Sequence, residues 1–178
     1  MRALDLAAQQ LGLNETTKAA ALTDYLHNGG VNLDPATTAW CAAFVNATLA
    51  QSGQQGTGSN MARSFMQWGQ AVDQPQPGDI AVFSRGDANG PYGHVGFFQG
   101  YNPDGTIRVL GGNQGDAVSV SSFSPNALLG FRRASGQNAF APPQAQQPAQ
   151  NSLTMTQAPA PQWALFDTNS LPRNRLRA

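Results

Sequence analysis

The chain has 178 residues, enough for one well-buried domain and short for two. Hydrophobic residues make up 40% and charged residues 11%, and the formal net charge is zero. No basic excess is available to neutralise phosphates, which argues against nucleic acid as a partner, and no apolar run approaches the length of a membrane span. The single cysteine, Cys41, excludes an internal disulfide and a cysteine-based zinc site. With only His27 and His94 beside it, no metal or other cofactor is expected. The opening "MRALDLAAQQLG" lacks an uninterrupted apolar core of signal-peptide length. Synthesis in a cytoplasm without such a leader is expected, with delivery by another route.

The first half reads as helical. "ALDLAAQQLG" has helical apolar spacing and a Gly12 stop. "NETTKAAALTDYLHNGG" predicts a helix capped by Asn14 and ended at Gly29-Gly30. "TTAWCAAFVNATLAQSG" predicts a third, capped by Thr37 or Thr38, with Phe44, Val45 and Leu49 facing a core. "SNMARSFMQWG" predicts a short fourth. The second half reads as strands, at 79–84, 94–101, 106–112, 117–123 and 128–133, each bounded by turn residues. Helices followed by hairpin-connected strands indicate an α+β domain, with the N-terminal helices packed on an antiparallel sheet of five to six strands.

Composition changes near residue 134. Residues 137–162 hold 7 Gln, 6 Ala and 5 Pro in 26 positions, too little apolar surface to offset chain entropy. The expected organisation is a domain over 1–133, a linker over 134–162 and a docking tail over 163–178. Trp163, Leu165, Phe166 and Leu171 restore apolar anchors in that tail. Residues 1–133 carry 7 Lys+Arg against 9 Asp+Glu, while Arg173, Arg175 and Arg177 face only Asp167 in the remainder.

Three residues carry chemistry when taken together. Cys41 falls within the first turn of a helix, where unpaired N–H groups favour a thiolate and its own N–H can serve an oxyanion. Alone, it reads more readily as a small buried hydrophobe than as a nucleophile. His94 opens a strand after Gly93 and is the base such a thiol needs. The turn "NPDG" (Asn102 to Gly105) joins strands 94–101 and 106–112. If Asn102 pairs with Gly105, His94 faces Asn113, whose amide oxygen can then orient the imidazole. A glycine bulge at the turn would shift this register, and one at Gly111-Gly112 would restore it. Trp40, Trp68 and Tyr92 flank these motifs and could line a substrate groove.

The stretches "WCAAFVNATLAQSG", "GTGSNMARSFMQWG", "PQPGDIAVFSRG", "GHVGFFQG", "VLGGNQGDAVSV" and "LLGFRR" resemble the CHAP and NlpC-type amidase/endopeptidase superfamily, with phage and prophage cell-wall hydrolases nearest. The resemblance covers residues 2–133. It implies a papain-like fold and cleavage of an amide bond in peptidoglycan by a cysteine peptidase or N-acetylmuramoyl-L-alanine amidase. Nucleophile, base and orienting residue then fall on Cys41, His94 and Asn113, and Asp79 of "PGD" is structural. A wall hydrolase without a leader needs a carrier, and the tail from 134 suits docking onto a phage tail or baseplate. The competing expectation is a non-catalytic particle component that keeps the fold.

Overall fold

The structure, a computed structural model, describes residues 1–135. The expected linker beyond that point and the docking tail at 163–178 lie outside the described residues.

Three α-helices come first: α1 (Ala3–Gln9), α2 (Ala19–Asn28) and α3 (Cys41–Gln51). Asn14 does not cap α2, which starts five residues later with Lys18 at the cap position. Asn14 Oδ1 instead accepts the N–H groups of Thr16 at 3.1 Å and Thr17 at 2.7 Å, closing the turn ahead of the helix. Thr37 and Thr38 do not cap α3 either. Their N–H groups bond to the Asp34 carbonyl in a preceding turn, and Trp40 occupies the cap position with no side-chain bond to the helix. The expected fourth helix is a 3-10 helix, Ala62–Gln67. Its buried residues, Ala62 and Phe65, are three apart, which suits a three-residue turn.

Six strands follow: β1 (Gln70–Val72), β2 (Ile80–Ser84), β3 (Gly93–Tyr101), β4 (Ile107–Gly111), β5 (Ser119–Phe123) and β6 (Leu128–Arg133). They form one antiparallel sheet in the order β1-β6-β2-β3-β4-β5. Only β1 was not expected. It has three residues, two of them exposed, and pairs with the chain-distant β6.

The α+β, papain-like expectation holds. Helix α3 is buried over nine of its eleven residues and packs against β3, which explains why its sequence has no polar face. The β3 run from His94 to Phe98 is buried on both sides. On one side lie the helices, with Phe44, Val45, Leu22 and Leu26. On the other the sheet covers itself. Phe83 of β2 stacks on Phe123 of β5 at 4.7 Å although two strands lie between them. Only a strongly rolled sheet brings those rings together.

Asp79 has the structural role expected of it and a second one besides. Its Oδ2 accepts the Gln76 N–H at 2.7 Å, closing the turn into β2. Both carboxylate oxygens also accept from Arg133, at 2.8 and 2.6 Å, which ties the last strand to the second. No described helix is long and apolar enough to cross a membrane.

Candidate active site

Cys41 is the first residue of α3, and that helix start is left without a side-chain cap. Its early N–H donors are therefore not spent on a neighbour. Those of Cys41 and Ala42 bear on the thiol instead, together with the N–H of Val95 on β3. Val95 follows His94, so one backbone amide links the helix that holds the thiol to the strand that holds the imidazole. No direct hydrogen bond joins the two side chains in this state. The thiol is only 7% exposed, and burial pushes its pKa up, with the three N–H groups and Arg85 partly opposing. His94 is 8% exposed. Burial pushes its pKa down, and its bond to Gln114 opposes that. Both directions favour the neutral pair, thiol and imidazole, at rest.

The ring partner expected at Asn113 is one residue further on. His94 Nε2 lies 2.9 Å from Gln114 Oε1. The strand register is the anticipated one: Phe97 faces Leu110 and Phe98 faces Val109, the same pairing sum that would set His94 opposite residue 113. The restoring irregularity sits between Phe98 and Gly100 of β3, not at Gly111-Gly112. Yet β4 ends at Gly111, and the chain then turns through left-handed positions at Asn113 (φ 57°), Gly115 (φ 64°) and Asp116 (φ 58°). Asparagine tolerates that conformation better than most residues. The turn throws Gln114 back over the strand ends, while Asn113 lines the pocket beside the ring without bonding to it.

Gln114 decides which ring nitrogen is the base. Its Nε2 donates to the carbonyl oxygens of Ser119 at 2.6 Å and Val109 at 3.3 Å. Those partners only accept, so the amide cannot be flipped without loss. Oε1 is then the atom that meets His94, and it too only accepts. His94 Nε2 must carry the proton, and Nδ1 keeps a free lone pair. The ring plane is fixed by Phe123, stacked at 4.9 Å and 14°. Gly111 leaves room for the pair, since a Cβ there would lie 2.9 Å from Gln114 Oε1 and 3.4 Å from His94 Nε2.

The three aromatics expected at a groove separate. Trp40 is fully buried. Its Nε1 donates to Glu15 at 2.7 Å and its ring packs over Gly112, where any Cβ would collide with it, so it belongs to the core. Trp68 is half-buried against Phe65 and donates to the Gln55 carbonyl at 2.8 Å. Tyr92 is 70% exposed, two residues ahead of His94. Sequence reasoning missed Gln114 and Phe123. Gln114 had a signal, an amide with two different ends beside Asn113 in a glycine-rich turn. Phe123 had none, because its contact depends on the roll of the sheet.

Helices on a rolled antiparallel sheet, with a thiol at an uncapped helix start and an oriented imidazole at a strand start, define the papain-like class of thiol hydrolases. Residues 33–113 match the family model of the CHAP domain. The likeness of that part of the chain to the CHAP domain implies a hydrolase of the cysteine peptidase or amidase type. The match includes Cys41, His94 and Asn113 and stops one residue short of Gln114. No curated protein matches the chain.

Proposed function

We propose that the protein hydrolyses an amide bond of peptidoglycan by a thiol mechanism in which Cys41 is the nucleophile, His94 the base and Gln114 the residue that orients the base. The observation that carries this reading is the amide of Gln114. By fixing the proton on Nε2 it leaves Nδ1 able to take one.

The steps follow from the resting neutral pair. Nδ1 of His94 takes the Cys41 proton as the sulfur attacks the amide carbonyl, and the N–H groups at the start of α3 receive the developing oxyanion. The C–N bond breaks as the imidazolium returns that proton to the leaving amine, and a thioester remains on Cys41. Water then attacks, giving its proton to Nδ1. The acid departs, and the sulfur recovers the proton from the ring. In both half-reactions Gln114 Oε1 faces a ring that becomes cationic, where a hydrogen bond strengthens.

Clearing of purified peptidoglycan by the wild type and not by Cys41→Ala is the expected result. Equal clearing by both removes Cys41 from the mechanism, and no clearing by either leaves the fold as a particle component without catalysis. Mass spectrometry of the fragments identifies the bond, at the sugar–peptide junction or within the peptide stem. Carriage on a phage tail or baseplate through residues 134–178 is part of the same proposal. Removing those residues should abolish particle association and leave hydrolysis intact. Loss of hydrolysis instead would refute a domain that ends at 133.

A further inference from the structure

Beside His94, on the side that Gln114 and Phe123 also line, lies an open pocket of about 310 Å³. Its walls are partly polar: Ser84, Asn113, Ser121 and Ser122 contribute beside Gly115 and Phe123, and no carboxylate does. One charged residue lines it, Arg85, which is exposed to solvent. Among the described residues its guanidinium has no hydrogen bond and no ion-pair partner. Arg133 and Arg63 are both engaged, the first by Asp79 and the second by backbone carbonyls.

The backbone that carries Arg85 is well held. Its N–H donates to the Tyr92 carbonyl at 3.2 Å, continuing the β2–β3 pairing by one step. Arg63 braces the same loop from outside, donating to Tyr92 O at 3.1 Å and to Ala88 O at 2.7 Å. Arg85 follows Phe83 by two residues, so both leave the same face of the strand. Phe83 stacks on Phe123, and Phe123 on His94. Arg85 thus joins the pocket lining one strand step outward from the ring stack. The charge acts over the whole centre, since it bears on both Cys41 and His94. A cation held there without an anion, over hydroxyl and amide groups, is a receptor for a carboxylate.

We infer that Arg85 is a specificity residue that binds a free carboxylate of the stem peptide, within a residue or two of the amide that is cut. The inference rests on the proposed hydrolase function. It narrows the substrate class to stems with an unblocked acidic side group and disfavours those in which that group is a carboxamide. The pocket borders His94 without including Cys41, which suits a group near the reacting carbonyl and not the carbonyl itself.

Two soluble stem peptides that differ only in carboxylate or carboxamide at the glutamyl residue test it. With the carboxylate peptide, Arg85→Gln should lower kcat/KM by about 10- to 100-fold, mostly through KM, and Arg85→Lys by less, because a charge-assisted bidentate pair is lost or weakened. With the carboxamide peptide Arg85→Lys, which keeps the charge, should stay near wild type, and Arg85→Gln should lose far less than it does with the carboxylate peptide. An equal loss on both peptides, or no loss on either, overturns the inference. Binding of the same peptides to Cys41→Ala protein separates this from the hydrolase reading. An Arg85-dependent preference for the carboxylate supports the inference even if the wild type cuts neither peptide. Equal binding of the two sinks it even if hydrolysis is confirmed.

Discussion

Replacing Gln114 tests the mechanism at its most specific point. In the resting protein the bond from His94 Nε2 to Gln114 Oε1, at 2.9 Å, joins two neutral groups and contributes about 0.5–1.5 kcal/mol. In the transition state the ring is cationic and the same bond contributes about 1.5–3 kcal/mol. Only the difference accelerates the reaction, about 1–1.5 kcal/mol, so Gln114→Ala should lower kcat/KM by roughly ten-fold. Gln114→Glu should behave differently. A carboxylate also accepts from Nε2 but stabilises imidazolium, so the His94 pKa rises and the acid limb of the pH–rate profile moves to higher pH. The lost donor to the Ser119 carbonyl appears separately, as a lower melting temperature. The assay is kcat/KM against pH on a soluble stem peptide, with nitrogen NMR of the ring to read its tautomer. Wild-type rates in Gln114→Ala, or an acid limb unmoved in Gln114→Glu, would refute the assignment. So would a resting ring protonated on Nδ1.

The wild-type profile is itself predicted. Catalysis needs one proton shared between thiol and imidazole. Burial lowers the His94 pKa, so activity should persist as pH falls below its ordinary value of about 6.5. Burial raises the Cys41 pKa, so the alkaline limb should lie above about 8.5. A bell narrower than these limits would contradict a neutral resting pair. Asp79→Ala strands Arg133 and opens the 76–79 turn, and should destabilise the full chain by about 3 kcal/mol in urea unfolding. An effect below about 1 kcal/mol would place the pair with ordinary surface pairs. Gly112→Ala sets a Cβ 2.5 Å from the Trp40 ring and 2.7 Å from Phe44 Cβ, and should cost about 1–3 kcal/mol by overpacking. Gly111→Ala sets a Cβ 2.9 Å from Gln114 Oε1 and 3.4 Å from His94 Nε2, so it presses on the pair itself. It should spare stability and depress activity, and the reverse pattern would deny Gly111 its role in the site.

The sheet was legible because its strands are local. Turn residues and alternation mark five of the six, and β1 escapes because its partner is sixty residues away. The helices were legible as segments, but their caps were not. Asn14 and Thr37 have cap chemistry and spend it on turns just before the helices, Asn14 on the Thr16 and Thr17 N–H groups and the Thr37 hydroxyl on Asp34. At α3 that misreading hid something functional. A helix start with Thr37 on its N–H groups would have had fewer of them to offer a thiol, and the sequence cannot say which way the hydroxyl turns.

The site shows the same division between what pairing sums reach and what a turn decides. Counting outward from "NPDG" set residue 113 opposite His94; beside the turn the observed register is one residue off that count, and the irregularity between Phe98 and Gly100 brings it back at Phe98 and Phe97. Beyond Gly111 the strand rule no longer applies. Asn113 serves the backbone by accepting a positive φ, and the amide that meets the ring belongs to its neighbour. Asparagine and glutamine offer the same two-ended amide, and the turn conformation selects between them. With its strand finished, Asn113 cannot both take the left-handed position and span a β-pair distance to the imidazole. Gln114 has one more methylene and an ordinary backbone. It reaches His94 with its oxygen while its nitrogen stays on Ser119, and that second attachment is what gives the first its chemical meaning.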